Sequence, residues 1–290
     1  MRRFNRLVTR RVGALDDRYL ARGRPLGQAR LLWEVGPDGE EVRRLRARLG
    51  LDAAQLSRQL RALESDGLVH VGRGDADGRV SVVRLTAAGA VERQVLDDLS
   101  DDLARSILEP LEPAQRERLV AAMGEVERLL MASAVTLRVV DPESPDARQC
   151  VRAYMAELDR RSPVPYDPGA GVSARPDEFR APLGAFVVGT LGHEAVCCGA
   201  VKHVPGCPAE VKRMWVSDAV RGLGVGRRLL RHLERLAAAA GATAVRLETN
   251  RTLVEAIGLY RSEGYSEVPA FNDEPFAHHW FQKQLTGAGG

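Results

Sequence analysis

The sequence predicts two successive folded domains, the first mainly α with a single β-hairpin and the second α/β. Three observations carry this. The chain has 290 residues, more than the ~100–200 of one ordinary domain. Up to about residue 132, apolar residues recur at three- and four-residue steps, interrupted once by two short apolar runs around a glycine-rich tip. From residue 136 strand-like runs alternate with helical ones. The expected domains are residues 1–134 and 135–290.

Composition bounds the chemistry. The 42 basic and 39 acidic residues leave a net charge of +3, too small a bias to argue for nucleic acid or membrane by itself. Nearly all the basic residues are arginines, the lysines being Lys202, Lys212 and Lys283. Cys150, Cys197, Cys198 and Cys207 share one half without C-x-x-C spacing, against a zinc ribbon or disulfide framework. Met1-Arg2-Arg3-Phe4 leads into more arginines and no apolar segment, and no stretch approaches the ~18 apolar residues of a membrane span. A soluble, cytoplasmic protein without a bound metal is the expectation.

Phe4, Val8, Val12, Leu15 and Tyr19 predict a helix over 4–20, followed by helical runs at about 27–35 and from Glu40 to Leu49. Gly50 suits the left-handed position past a helix end, and Asp52 caps the next helix, Ala53 to Ser65. That helix turns Leu56, Leu60 and Leu63 inward and Gln55, Ser57, Arg58, Gln59 and Arg61 outward. After Gly67, Leu68–Val71 and Val80–Val83 read as two strands around the charged tip 72–79. A helix-turn-helix followed by a hairpin is a winged helix. Helices then run from Thr86 to Leu108, where Pro110 intervenes, and from Pro113, with Leu119, Met123, Val126 and Leu130 on one face.

Leu51-Asp-Ala-Ala-Gln-Leu-Ser-Arg-Gln-Leu-Arg-Ala-Leu-Glu-Ser-Asp-Gly-Leu-Val69 and Arg84-Leu-Thr-Ala-Ala-Gly89 resemble the MarR family of transcriptional regulators over residues 1–132. The resemblance implies a homodimer held by its first and last helices, bound to a double-stranded DNA operator. Gln55, Ser57, Arg58 and Arg61 would lie in the major groove, and the wing arginines Arg73 and Arg79 at the minor groove or phosphates. Arginine suits these places, because its planar fork pairs with guanine edges or bridges phosphates.

The second half opens with a strand at 136–141 and a helix from about Pro145 bearing Ala147, Val151, Tyr154 and Leu158. A proline-rich irregular segment spans 160–182. Strands follow at 185–191, 194–202 and 210–217, the last running into Arg221-Gly222-Leu223-Gly224-Val225-Gly226 and a helix with Leu229, Leu230, Leu233 and Leu236 inward. A glycine-rich strand-to-helix turn presents several N–H groups at a helix N-terminus, which suits a pyrophosphate. No Gly-Lys-Ser/Thr follows, so it is not a P-loop. Arg227 stands where a dinucleotide fingerprint needs its third glycine, although Glu248 would serve as that fingerprint's acid.

Arg221, Gly224 and Gly226, with Glu210-Val-Lys-Arg-Met-Trp-Val216 before them and Asn250, Ala256, Tyr260 and Gly264-Tyr265 after, resemble the GNAT family of acyl-CoA-dependent N-acetyltransferases over residues 136–285. The implied fold is the α/β GNAT acyl-CoA N-acyltransferase fold and the implied acyl donor is acetyl-CoA. By resemblance, Met214, Trp215 and Val216 hold the pantetheine arm, and Gly222, Leu223, Gly224, Val225, Gly226 and Arg227, behind Arg221, hold the pyrophosphate. Asn250 would lie close to the cofactor.

Acyl transfer to an amine needs a neutral nitrogen and a proton for the departing thiolate. Glu210 is the expected base, placed by strand alternation on one face with Lys212, Met214 and Val216 and away from Arg213. Tyr260 is the expected acid, as the resemblance implies. The N–H of Val216 is expected to polarise the acyl carbonyl, and Phe271 or His278 to touch the acceptor. The combined expectation is a regulator and N-acetyltransferase in one chain, acting on a small amine or amino-acid-like acceptor. The alternative is a DNA-binding regulator whose second half only senses acyl-CoA.

Overall fold

The computed structural model describes residues 1–14, 20, 23–36, 38–74, 80–161, 175–203 and 206–285. They form two compact units, Met1–Ala122 and Met123–Gly290. Among the described residues no helix is long and apolar enough to cross a membrane.

In the first unit, α1 (Arg2–Arg11) is shorter than the sequence predicts. Its chain turns at Gly13, whose φ of +66° costs glycine little, and the predicted continuation through Leu15 and Tyr19 lies outside the described residues. No residue of α1 is buried, and Phe4, Leu7 and Val8 on it are exposed. α2 (Leu26–Glu34) buries Ala29, Leu31 and Leu32. Glu40 and Glu41, expected to begin a helix, instead form a short strand, β1, so α3 is confined to Val42–Leu49.

Gly50, at φ +64°, ends α3. Asp52 then caps α4 (Ala53–Ser65), its side chain accepting the Gln55 N–H at 2.7 Å, a contact worth about 1 kcal/mol. Leu56, Leu60 and Leu63 of α4 pack with Leu31, Leu32, Leu45 and Leu96. The strands β2 (Val69–Arg73) and β3 (Ser81–Leu85) pair antiparallel, and β1 adds to β3, giving the order β1-β3-β2. Two long helices follow: α5 (Ala87–Leu108), capped by Thr86, and α6 (Pro113–Ala134).

The second unit is built on a seven-stranded sheet of order β4-β5-β6-β7-β8-β10-β9. Its strands are β4 (Thr136–Val140), β5 (Gly184–Leu191), β6 (Glu194–Lys202), β7 (Ala209–Val216), β8 (Ala244–Thr249), β9 (Ser266–Val268) and β10 (His279–Gln284). All neighbours are antiparallel except β7 and β8. β9 and β10 are not signalled by the sequence, because β10 buries only Phe281 and has no alternating apolar face.

α7 (Pro145–Arg161) packs on one side through Ala147 and Cys150, against Phe186, Val188, Cys198 and Ala200. α8 (Val225–Ala239) packs on the other through Val225, Leu229, Leu230, Leu233 and Ala237, with Ile257 and Tyr260 of α9 (Val254–Ser262) in the same cluster. Burying each such side chain contributes about 1.5–3 kcal/mol against exposure, so the core fixes where the helix ends and strand ends meet.

Candidate active site

Two local features of β7 create the site. The first is its partnership with β8, which is registered only at Ala209–Val245 and Glu210–Arg246. Beyond Glu210 the two parallel strands separate, and the edge of β7 that faces β8 loses its partner.

The second is a β-bulge. Cys198 pairs with Trp215 and Ala200 with Lys212, so Gly199 alone faces both Arg213 and Met214. Arg213 absorbs the extra residue at φ +53°, and a Cβ on Gly199 would come within 3.2 Å of Met214 Cγ and 2.8 Å of Leu233 Cδ1. The bulge inverts the alternation. Glu210 and Lys212 do share a face, but Met214 and Val216 turn to the α8 side and Trp215 to the α7 side. Strict alternation therefore misplaces these residues. It misplaces Arg213 too, whose guanidinium lies over the Phe179 ring, 5.1 Å from its centroid, on the face that Glu210 shares.

Two cavities meet at the bulge. One runs along Trp215, Val216, Gly222, Gly224, Gly226 and Arg227, walled by α7 and α9. The other opens between the ends of β7 and β8 and is lined by Lys212, Arg213, Glu248, Asn250, Thr252 and Phe276. Met214 and Tyr260 line both.

The glycine turn fits a pyrophosphate. Gly222 and Gly224 hold φ of +78° and +79°, and Gly224 is the N-cap of α8, so free N–H groups of the first turn converge there. Leu223 packs partly buried on the core and Val225 is fully buried, so these two serve the loop through their backbone. Arg221 braces the turn. It donates to Glu157 Oε2 and Val216 O, each at 2.7 Å, and pairs with Asp218 at 2.6 Å. Glu157, which sequence reasoning missed, is an almost buried carboxylate on α7 that also takes the Trp215 Nε1–H at 3.0 Å and Arg161 at 2.9 Å. An acidic residue at a helical position carries no sequence signal for this.

Beyond the bulge, Ser217 N donates to Val196 O. Antiparallel N–H directions alternate, so the Val216 N–H points away from β6, toward the splay.

Tyr260 is buried in the core beside Tyr265 and Phe281. Burial, with the nearby charge of Glu248, raises its hydroxyl above the ordinary tyrosine value, which keeps it an O–H donor.

Glu210, the expected base, does not line either cavity. Burial acts to raise its carboxyl, but the charge of Lys212, the Arg246 hydrogen bonds at 2.6 and 3.1 Å, and Lys202 at 3.8 Å outweigh it. The carboxyl is held below its usual range, so it is a weaker base than an ordinary glutamate. Two carboxylates do line the cavity between the strands, Glu248 and Glu274; of these, Glu248 accepts from Lys212 Nζ through Oε1, while its Oε2 is buried without a hydrogen-bond partner. From the sequence, Glu248 is expected only as the acid of a dinucleotide fingerprint.

Asn250 lines the cavity between the strands, not the one along the glycine turn. Its amide donates to Phe276 O at 2.8 Å and its Oδ1 accepts from Thr252. Phe271 stacks on Arg246, 4.2 Å from its guanidinium carbon, and His278 N donates to Thr249 O. From this segment the cavity is lined by Glu274, Phe276 and Ala277, and by neither Phe271 nor His278. Among the described residues no cluster of His, Cys, Asp or Glu is arranged to hold a metal ion.

In the first unit, Gln55, Ser57, Arg58 and Arg61 lie on α4, with Arg58 and Arg61 exposed and Arg61 bonded to Ser57 Oγ at 2.9 Å. Arg73 ends β2, exposed, and Arg79 lies outside the described residues. The exposed Arg43 and Arg46 of α3 flank the same groove as Ser57 and Arg61, an addition that α3 taken alone does not signal.

Residues 182–267 match the acetyltransferase (GNAT) domain. The IAA acetyltransferase of Azospirillum brasilense is 41% identical over 87 residues, 30% of this chain and 57% of that protein. The chain thus spans a little over half the length of this curated relative. Solved structures that match part of this chain include an acetyltransferase of the GNAT family from Staphylococcus aureus Mu50, at 12% identity and TM-score 0.44, covering 52% of this chain and 100% of that one. Another is the IAA acetyltransferase from Bacillus cereus, at 16% identity and TM-score 0.37, covering 52% of this chain and 99% of that one. The matched residues run from just before β5 to β9 and so take in both the glycine turn and the splayed end of β7.

Proposed function

We propose that the GNAT domain transfers acetyl from acetyl-CoA to the primary amine of a small or amino-acid-like acceptor by direct attack, and that the chain is also a dimeric DNA-binding regulator. The observation that carries the transferase reading is the meeting of the two cavities at Met214 and Tyr260. One cavity suits a pantetheine arm below a pyrophosphate turn, and the other suits an acceptor.

In this reading the acceptor ammonium gives a proton to Glu248, and the freed nitrogen attacks the thioester carbonyl. The Val216 N–H stabilises the oxygen as charge develops on it. The carbon–sulfur bond breaks, and the thiolate takes its proton through the Tyr260 hydroxyl, which recovers one from solvent. Glu210 acts as a structural counter-charge for Lys202, Lys212 and Arg246. Lys212 and Arg213 beside Glu248 and Glu274 give the acceptor cavity both signs of charge, which matches a zwitterionic acceptor. The relative from Azospirillum brasilense is called an IAA acetyltransferase, which supports acetyl transfer.

For residues 1–134 the proposal is a MarR-like winged helix, with α4 the recognition helix and Arg43, Arg46, Arg58, Arg61 and Arg73 facing an operator. Apolar residues exposed on α1 and on one stripe of α6, among them Phe4, Val8, Met123 and Leu130, support a homodimer through these helices.

The test is thiol release from acetyl-CoA across a panel of small amines, amino acids and lysine peptides, comparing the native chain with Tyr260→Phe. Turnover with one acceptor, reduced about 100-fold in the variant, is the expected outcome. Acetyl-CoA binding without turnover on any acceptor would refute the transferase reading and favour a sensor of acyl-CoA.

A further inference from the structure

We propose that Lys212 is itself an acyl acceptor, and that its ε-amine takes the acetyl group from acetyl-CoA bound to the same chain. The proposal rests on the reading of the cleft as an acetyl-CoA-dependent acyltransferase site.

The chain has three lysines, Lys202, Lys212 and Lys283, and their surroundings differ. Lys202 is held between Glu178 at 3.1 Å and Glu210 at 3.8 Å, and Lys283 donates to both oxygens of Glu234 at 2.9 Å. Neither lines the two cavities that meet at the bulge. Lys212 does. It lies two residues before Met214, its side chain is only 11% exposed, and its Nζ contacts Glu248 Oε1 with Glu210 Oε2 at 3.6 Å. A primary amine in contact with Glu248, a carboxylate of the cavity, beside the residues that both cavities share, has the arrangement that any external acceptor must reach. The four-carbon stem of lysine lets Nζ swing about that position without backbone movement.

The step balances without any further reagent. Glu248 takes a proton from the Lys212 ammonium, and the neutral Nζ adds to the thioester carbonyl. The carbon–nitrogen bond forms and the carbon–sulfur bond breaks. The thiolate leaves as the free thiol, protonated through Tyr260. Lys212 becomes a neutral amide, which removes the cation now shared by Glu248 and Glu210. An acceptor that occupies Glu248 first competes with this reaction.

The experiment uses the full chain and acetyl-CoA with no added amine, with peptide mass spectrometry of all three lysines and calorimetric titration of acetyl-CoA alongside. Expected is close to one acetyl group per chain on Lys212, formed at least about 10-fold faster than on Lys202 or Lys283, lost in heat-unfolded protein and slowed about 10- to 100-fold in Tyr260→Phe. Lys212→Arg should still bind acetyl-CoA and remain unlabelled. Binding with Lys212 unmodified, or equal labelling of the three lysines as in simple chemical acetylation, would overturn the proposal and leave the transferase reading standing. Absence of acetyl-CoA binding would overturn both.

Discussion

Replacing each of two glutamates on neighbouring strands by glutamine separates chemistry from architecture. Glu248 lines the cavity between the ends of β7 and β8, with one oxygen on Lys212 and the other unpartnered. If it takes the acceptor's proton, Glu248→Gln lowers kcat by about 10²–10⁴, or roughly 2.7–5.5 kcal/mol in barrier. The fold should lose little, because Lys212 keeps Glu210 at 3.6 Å. Glu210 is the opposite case. Its side chain is 9% exposed, accepts twice from Arg246, and lies near Lys212 and Lys202. Glu210→Gln removes the carboxylate on Arg246, while Lys212 keeps Glu248 and Lys202 keeps Glu178; breaking this largely buried pair should cost about 3–5 kcal/mol, which at roughly 2–4 °C per kcal/mol lowers Tm by about 6–20 °C. The assays are steady-state thiol release at a temperature where both variants are folded, and differential scanning calorimetry. A 100-fold loss of kcat in Glu210→Gln with an unchanged Tm, and a near-native kcat in Glu248→Gln, would refute the assignment and return the base to β7.

Three further outcomes are expected. Gly224→Ala forces an alanine to φ +79° at the N-cap of α8, a strain of about 1–2 kcal/mol, so acetyl-CoA affinity measured by calorimetry should fall about 10-fold. The carboxyl of Glu210 lies below its usual range in the fold, so its contribution to stability is complete above the unfolded value of about 4.3 and is lost as pH falls through the folded value. The Tm-versus-pH profile of Glu210→Gln should accordingly be flatter on the acid side than that of the native chain. Met123→Asp or Leu130→Asp on the exposed stripe of α6 should give a monomer by sedimentation, and unchanged sedimentation would refute the dimer surface.

Much of this architecture is readable from local pattern. Gly50 and Asp52 fix the turn before α4, and the inward leucines of α4 and α8 follow helical spacing because burial rewards one face. Gly222 and Gly224 mark the turn before α8, since only glycine takes left-handed φ there at low cost. Glu40 and Glu41 read as helix because acidic residues carry no strand signal; their pairing with Val83 and Val82 decides the matter. β9 and β10 have the same origin, being strands held by neighbours and not by their own alternation.

The sequence by itself determined the two-part organisation, the glycine turn and the presence of Tyr260, because each depends on residues close along the chain. Only the tertiary structure decided that Glu248, and not Glu210, lines the cavity. A single inserted residue at Arg213 inverts the alternation of β7, and the separation of β7 from β8 after Glu210 opens the space that Glu248 enters. Neither is encoded in one strand's pattern. Each follows from how two strands register against their neighbours, and that register is set by packing between residues far apart in the chain.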